Sequence, residues 1–124
     1  MPLVIFVDDS ETALASTRMV TNSMPIEVKQ YTEAQKALAD IKGGMKPDLI
    51  ITDLNMPVMN GLEFLQALRA EPSTTRTPTL MLTTETKTEL KQQGKALGLT
   101  GWIVKPFNPA QLKQAITRVL RLPA

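Results

Sequence analysis

The chain contains neither cysteine nor histidine among its 124 residues. Without cysteine there is no disulfide framework and no zinc site built on thiolates. Without histidine, Ser-His-Asp and Cys-His catalysis, histidine metal sites and the usual general base near neutral pH are also excluded. Any chemistry must therefore come from carboxylates, lysine and hydroxyl groups.

Long apolar segments are missing as well. The purely apolar runs are no longer than a strand, which is too short for a transmembrane helix. Residues 1–9 have neither the basic start nor the small-residue cleavage site of a signal peptide, and two acids follow the first apolar run. We therefore expect a cytoplasmic protein.

The composition is that of an ordinary globular domain, with 43% hydrophobic and 21% charged residues. A length of 124 residues suits one domain and is too short for two. Residues 1–84 carry seven Lys/Arg and ten Asp/Glu, whereas residues 85–124 carry seven and two. No Arg-rich run or aromatic-basic interleaving is present, so we expect no direct nucleic-acid contact. The basic half is either a solvated face or a docking surface for an acidic partner.

Apolar runs alternate with amphipathic stretches along the whole chain. The runs predict strands at 3–7, 26–31, 49–52, 79–83 and 102–104. Helix starts are indicated by capping-box spacing or by Asn-Pro, at Thr32 with Gln35, Asn60 with Glu63, Thr86 with Glu89, and Asn108-Pro109. The helix after Thr86 has few large apolar residues, chiefly Leu90 and Leu97, so we expect it to pack lightly.

Strict strand-helix alternation predicts a doubly wound α/β fold, with a parallel sheet covered by helices on both faces. In such sheets ligands bind outside the carboxyl ends of the strands. Polar residues stand where the apolar runs stop: Asp8, Asp9, Asp53, Thr83, Thr84 and Lys105. Any one of these acids alone is usually a turn former or a helix cap.

Three carboxylates at one site repel one another by about 4 kcal/mol per pair at 4 Å and an effective dielectric near 20. A cation relieves this repulsion, and an oxygen-only donor set favours Mg²⁺. A lysine and a hydroxyl at the same edge suit a phosphoryl group. The chain lacks a Gly-rich phosphate loop, which favours a phosphoryl group held covalently on a carboxylate over a bound nucleotide.

Four sequence pieces resemble the signature of response-regulator receiver domains. They are Asp8-Asp9, the run ITDLNMPVMNG at 51–61, MLT at 81–83 and VKPF at 104–107. The resemblance covers essentially the whole chain and is greatest to the stand-alone receivers of the chemotaxis type. It implies a flavodoxin-like fold with five helices and a sheet of order 2-1-3-4-5, the strand order of the chemotaxis receivers themselves. It also implies that residues 1–124 form one receiver domain without an output domain.

The resemblance implies a role for each acid at the strand ends. Asp53 would be the phosphoryl acceptor. Asp9 and Asp53 would bind Mg²⁺ directly, Asp8 would act through water, and Asn55 would contribute its backbone carbonyl. A histidine kinase would be the phosphodonor, and the protein would be a signalling component rather than an enzyme.

The resemblance also implies a switch. Thr83 would bind a phosphoryl oxygen, Lys105 would bridge the phosphoryl group and the carboxylates, and Trp102 would occupy the position of the switching aromatic residue. Trp102 is bulkier than the usual Tyr or Phe, and it is either a switch or a fixed anchor for a partner. Thr84 is larger than the residue that the family favours there, which predicts a longer-lived phosphoryl group. The family also commonly has a cis bond at the position of Lys105-Pro106.

The output surface implied is formed by the fourth helix, the fifth strand and the fifth helix. Its predicted partner-contacting residues are Lys87, Lys91, Lys95, Trp102 and Lys113. The first three repeat every four residues and so share one helical face. We expect an acidic partner such as a flagellar motor switch component, and a monomeric protein.

Two other functions remain open from the residues. One is an aspartyl-phosphate hydrolase of the haloacid dehalogenase type. That family has a second Asp two residues after the nucleophile, where this chain has Asn55, and a cap domain for which the chain is too short. The other is a receiver-like scaffold that binds its partner without phosphorylation.

Overall fold

A computed structural model describes residues 1–123. Its five strands are β1 (Leu3–Val7), β2 (Glu27–Tyr31), β3 (Leu49–Thr52), β4 (Thr79–Thr83) and β5 (Gly101–Val104). Its helices are α1 (Glu11–Thr21), α2 (Ala34–Lys42), α3 (Gly61–Ala70), α4 (Thr88–Ala96) and α5 (Pro109–Leu120), with a short 3₁₀ turn at Pro72–Thr74. The alternation predicted from the apolar runs is confirmed.

All five strands are parallel and form one sheet in the order β2-β1-β3-β4-β5. The register pairs Val7 with Thr52 and Thr52 with Met81, so β1, β3 and β4 end at one edge. The fold class and the strand order implied by the resemblance are therefore confirmed. Among residues 1–123 no helix has both the length and the apolar character needed to span a bilayer.

The core lies on both faces of the sheet because successive strand residues point to opposite sides. On one face Val4 and Phe6 pack with Leu112 and Ile116 of α5. On the other face, a second cluster joins β1 and β3 to α2 and α3. Both faces of the central strands are buried, which explains their almost uninterrupted apolar sequences.

Two of the predicted helix starts are confirmed, and two are shifted by one residue. Asn60 forms a full capping box with Glu63, and the side chain of Asn108 accepts a hydrogen bond from the Ala110 backbone N–H. The N-cap of α2 is Glu33 instead of Thr32, and that of α4 is Lys87 instead of Thr86. Neither of these two residues makes a side-chain cap, and a shift of one residue is common at helix ends, which fray.

The light packing predicted for the fourth helix is confirmed. Gly94 is the only buried residue of α4, and Leu90 is half-buried. By contrast, α3 buries five residues, including Phe64 and Leu68. The α4 helix therefore contributes little to the core.

Candidate functional site

The polar residues that follow the strands meet at the carboxyl edge of the sheet. Asp8 and Asp9 follow β1, and Asp53 follows the neighbouring strand β3. Thr83 is the last residue of β4, and Lys105 follows β5. Because β4 separates β3 from β5, Thr83 lies between the strand that ends at Asp53 and the strand that ends at Lys105.

The three carboxylates form one cluster. One oxygen from each of Asp8, Asp9 and Asp53 lies within 4.8 Å of the other two. Only 9% of the Asp8 side chain and 12% of the Asp53 side chain is exposed, whereas Asp9 is exposed. The cluster therefore has two shielded acids and one that faces solvent, an arrangement open to an incoming cation.

Backbone hydrogen bonds fix the two shielded carboxylates. The Ser10 backbone N–H donates to Asp8 Oδ1 at 2.9 Å, and the Leu54 backbone N–H donates to Asp53 Oδ1 at 2.7 Å. Each acid therefore keeps its second oxygen, Oδ2, directed to other partners. Both of those oxygens are approached by the same lysine.

Lys105 bridges the two shielded acids. Its Nζ lies 2.5 Å from Asp8 Oδ2 and 3.4 Å from Asp53 Oδ2. Because Asp8, Asp53 and Lys105 all follow their strands at the same edge, their side chains converge above the strand ends. Burial by itself lowers the pKa of Lys105, but the hydrogen bond and charge of Asp8 outweigh it and, with Asp53, raise that pKa. The ammonium group is therefore charged at neutral pH.

Asp8 is the strained member of the cluster. Burial raises the pKa of the Asp8 carboxyl, and the nearby charge of Asp53 raises it further. The hydrogen bonds from Lys105 and from the Ser10 backbone act in the opposite direction without cancelling the effect. The ionised form of Asp8 is thus less favourable in the folded protein than in the unfolded chain.

The donor set fits a hard divalent cation. The cluster offers only carboxylate oxygens, and the chain has no histidine or cysteine to favour a softer metal. A single lysine cannot neutralise three acids, so the cluster keeps a net negative charge. These features match Mg²⁺, which binds through a few carboxylates and retains water molecules.

The loop after β3 approaches the site closely. Asn55 is exposed in this loop, and Val58 has a positive φ of 70°. Gly61 begins α3 against the loop, and a Cβ atom there would lie 2.3 Å from the Asp53 carbonyl oxygen. Only glycine therefore permits this approach of the helix to Asp53.

A second set of hydrogen bonds leads from the carboxyl edge to β5. The hydroxyl of Thr83, which is fully buried, accepts a hydrogen bond of 3.2 Å from the Glu85 backbone N–H. The Glu85 carbonyl in turn accepts a hydrogen bond of 2.9 Å from Trp102 Nε1. The Lys105 backbone N–H donates to the Thr83 carbonyl at 2.8 Å. The bond between Lys105 and Pro106 is cis, as the resemblance implies.

Comparison with known proteins identifies the family. The family profile described as the response regulator receiver domain matches residues 4–117 of the chain. The chain belongs to this family. The flavodoxin-like architecture and the resemblance noted in the sequence are thereby confirmed.

Individual relatives agree with this receiver assignment. The chemotaxis protein CheY-3 of Vibrio cholerae is 31% identical over 117 residues, which cover 94% of this receiver and 89% of that protein. The solved structure of the chemotaxis protein CheY4 of Vibrio cholerae has a TM-score of 0.89 and 45% identity, covering 97% of this receiver and 99% of that chain. The cyclic di-GMP phosphodiesterase response regulator RpfG of Xanthomonas campestris is 31% identical over 96% of this receiver but only 32% of its own length.

The surface of the receiver beside Trp102 contains a cavity of about 380 Å³ between α4 and β5. Lys91 and Lys95 stand at its rim, and the half-buried residues Leu99 and Trp102 lie in its wall. Lys87 precedes α4 as its N-cap, outside the cavity lining. Lys113 lines a different groove, between α1 and α5. The cavity therefore combines an apolar wall with two cations.

Two residues of the receiver escaped prediction from the sequence. Glu85 joins Thr83 to Trp102 through its backbone N–H and carbonyl, and a sequence pattern of side chains cannot predict such backbone hydrogen bonds. Arg69 binds two carbonyl oxygens at the end of α4, one in the 3₁₀ turn and a hydroxyl oxygen in β4, although in the sequence it is an ordinary basic residue in the last turn of a helix.

Proposed function

We propose that this receiver accepts a phosphoryl group on Asp53 from a histidine kinase and transmits the modification to a protein partner. The observation that carries the proposal is the grouping of Asp8, Asp9 and Asp53 within 4.8 Å, with Lys105 bridging two of them. Receiver-family membership supports it. The protein would act as a cytoplasmic monomer and would turn over no external substrate.

In the proposed transfer, a carboxylate oxygen of Asp53 forms a bond to phosphorus. The bond from phosphorus to the donor nitrogen breaks, and its electron pair stays on that nitrogen. Lys105 is already placed against Asp53 Oδ2 and would move its positive charge to the phosphoryl oxygens. The Thr83 hydroxyl would turn from the Glu85 N–H and donate to another phosphoryl oxygen.

The residues that would hold Mg²⁺ are Asp9 and Asp53 directly, Asp8 through water, and the backbone carbonyl of Asn55. When bound, Mg²⁺ would offset the negative charge of the carboxylates and of the transferring group.

The proposed output surface is centred on the cavity between α4 and β5. Its cations are Lys87, Lys91 and Lys95, with Trp102 as the aromatic anchor. Lys113, in the groove between α1 and α5, would extend the surface beyond this cavity. We propose an acidic partner such as a flagellar motor switch component. Similarity to the chemotaxis proteins CheY-3 and CheY4 supports a role in chemotaxis. Complex formation should weaken with salt and in Lys91→Glu. Binding that is indifferent to both would contradict the acidic partner.

The decisive experiment measures the intact mass after incubation with acetyl phosphate, with and without Mg²⁺. We expect a gain of one phosphoryl group that requires Mg²⁺ and is lost in Asp53→Asn. The matched control is Asp40→Asn, because Asp40 is an exposed acid that binds Tyr31 outside the site. A gain that persists in Asp53→Asn contradicts the assigned acceptor.

Partner binding and phosphate release, measured beside the intact mass, separate the two other functions. Partner binding that is unchanged in Asp53→Asn, without any mass gain in the wild type, would indicate a scaffold. Sustained release of phosphate from a phosphoester by catalytic amounts of protein would indicate a hydrolase. Stoichiometric acceptance, with one phosphoryl group per chain, supports the proposed receiver chemistry.

A further inference from the structure

The side chain of Arg69, in the last turn of α3, binds the far end of α4. Its Nε donates to the Leu97 carbonyl at 2.8 Å, and its Nη2 donates to the Gly98 carbonyl at 3.3 Å. The same guanidinium reaches the Thr74 carbonyl at 3.0 Å and the Thr79 hydroxyl at 3.3 Å. One side chain thus joins α3, the 3₁₀ turn, β4 and the carboxyl end of α4.

All four acceptors of Arg69 are uncharged oxygens. Within residues 1–123, the ion pairs involve only Lys36 and Lys105 as cations, so Arg69 has no carboxylate partner. Burial lowers the pKa of Arg69, yet a guanidinium remains charged under all ordinary conditions. A charged donor placed on helix-terminal carbonyls is favoured because these carbonyls lack partners within the helix and carry partial negative charge.

Other contacts at the carboxyl end of α4 reinforce this attachment. Leu99 packs on Gly94 so closely that a Cβ at Gly94 would lie 2.9 Å from the Leu99 Cδ2 atom. The Leu99 backbone N–H also donates to the Gly94 carbonyl at 2.9 Å. The next residue, Thr100, exchanges hydrogen bonds with Thr79 at the start of β4. This end of α4 is therefore tied to the sheet through both backbone and side chains.

The amino end of α4 is attached less extensively. The Glu85 backbone, two residues before the N-cap, bonds Thr83 and Trp102, and Leu90 packs against a small core cluster. The N-cap, Lys87, makes no side-chain cap. Thr88, Glu89 and Lys91 are exposed, and Leu90 is the only half-buried residue of the first turn. The two ends of the same short helix are therefore held very unequally.

We infer that Arg69 is the positioning residue for α4 and makes its carboxyl end a pivot. Displacement of α4 is then a rotation in which the amino end moves most. Lys91 moves further than Lys95, so the spacing between the lysines and Trp102 changes. The inference concerns the resting structure and does not depend on phosphorylation of Asp53. Where the proposed function holds, the pivot also sets which part of the output surface responds.

Hydrogen exchange of single amides, measured by NMR without phosphodonor or metal, tests the pivot. In the wild type we expect the Leu97 and Leu99 amides to exchange more slowly than that of Lys91, although all three are hydrogen-bonded. In Arg69→Met, exchange at Leu97 and Leu99 should rise about ten-fold or more, because charge-assisted hydrogen bonds are lost. Equal protection at the two ends of α4 in the wild type would overturn the inference.

Two further variants separate positioning from general loss of stability. Arg76→Met removes an exposed arginine nearby and should leave α4 exchange unchanged. Arg69→Lys keeps the positive charge but not the fork of donors, and should give an increase smaller than that of Arg69→Met. A uniform increase over β1 and α4 in the Arg69 variants, or no increase relative to Arg76→Met, would contradict a local role. Wild-type exchange alone decides the matter if neither Arg69 variant folds.

Discussion

The indole Nε1 of Trp102 donates a hydrogen bond of 2.9 Å to the carbonyl oxygen of Glu85. Through the Glu85 backbone, this bond connects the aromatic residue of the output surface to the Thr83 hydroxyl at the carboxyl edge of the sheet. A phosphoryl group that draws the Thr83 hydroxyl away from Glu85 would loosen the segment that holds the indole. The two hydrogen bonds therefore form a short physical connection between the proposed acceptor site and the surface.

This connection predicts a fluorescence change at Trp102, which is the only tryptophan of the chain. Addition of Mg²⁺ and acetyl phosphate should shift its emission because the environment of the indole changes. Asp53→Asn should abolish the response, and Thr83→Val should reduce it, because valine keeps the shape of threonine without the hydroxyl. An unchanged fluorescence response in both variants would contradict the proposed connection between the acid cluster and Trp102.

Asp8 predicts a specific dependence of stability on pH. Its folded-state pKa is raised above the ordinary value of 3.8, chiefly by burial. A group of this kind contributes stability that is fully present below pH 3.8 and is lost as the pH rises through the folded-state pKa. The contribution of Lys105, whose pKa is raised above 10.5, stays constant in this acidic window.

Asp8→Asn should therefore be more stable than the wild type at pH 7 without divalent metal, by about 1 kcal/mol. The difference should fall toward zero as the pH is lowered below 4, where Asp8 is protonated in both states. Urea unfolding at several pH values in EDTA measures it. Asp9→Asn is the control, since it removes one charge from the same cluster at an exposed position. Parallel pH profiles for the wild type and Asp8→Asn would contradict the assigned role of burial.

Much of the acid cluster was predictable because it follows from topology. Once the strands are parallel, residues after β1 and β3 must share one edge, which brings Asp8 and Asp9 to Asp53. The position of Lys105 after β5 followed in the same way. The sequence does not predict that Lys105 lies closer to Asp8 than to Asp53. That difference depends on side-chain distances that vary by about an ångström.

The features that sequence reasoning missed are those made by backbone atoms or by distant segments. Arg69 binds oxygens of Leu97 and Gly98, and carbonyl acceptors leave no mark on the sequence. The capping-box spacing predicts that α4 starts at Thr86, one residue before the observed N-cap Lys87, because no side-chain cap fixes this helix end. The strong capping box at Asn60, by contrast, was predicted correctly because both of its partners are local side chains.

Gly61 predicts a strong steric effect next to the proposed phosphoryl acceptor. A Cβ at this position would lie 2.3 Å from the Asp53 carbonyl oxygen and 2.9 Å from the Leu54 Cα atom. Because both neighbours are backbone atoms of the β3–α3 loop, the loop itself must shift. Gly61→Ala should lose about 3 kcal/mol of unfolding free energy and should accept the phosphoryl group poorly.

Gly43→Ala is the matched control for this glycine. Its added Cβ would meet only the carbonyl oxygens of Ala39 and Asp40 at 3.4 Å, and the backbone of Gly43 is right-handed. We expect a change within about 1 kcal/mol and undisturbed phosphoryl transfer. Urea unfolding and intact mass measure the two effects, and similar losses for both glycines would refute the steric explanation.

Thr84 predicts the lifetime of the proposed phosphoryl group. It is exposed directly after Thr83, where its branched side chain would crowd water that approaches the phosphorus. Thr84→Ala should therefore lose the phosphoryl group about two- to ten-fold faster, which corresponds to a barrier lower by up to about 1.4 kcal/mol.

The measurement of this lifetime is the decay of the phosphorylated mass after removal of the phosphodonor. Thr86→Ala is a suitable control, because Thr86 is also an exposed threonine but lies beyond Glu85 in the chain. Thr84→Ser, which keeps the hydroxyl and removes the methyl group, separates crowding from hydrogen bonding and should behave like Thr84→Ala. A decay in Thr84→Ala that is equal to or slower than that of the wild type would defeat the crowding explanation. If Thr84→Ala decays faster but Thr84→Ser decays as slowly as the wild type, the effect belongs to the hydroxyl.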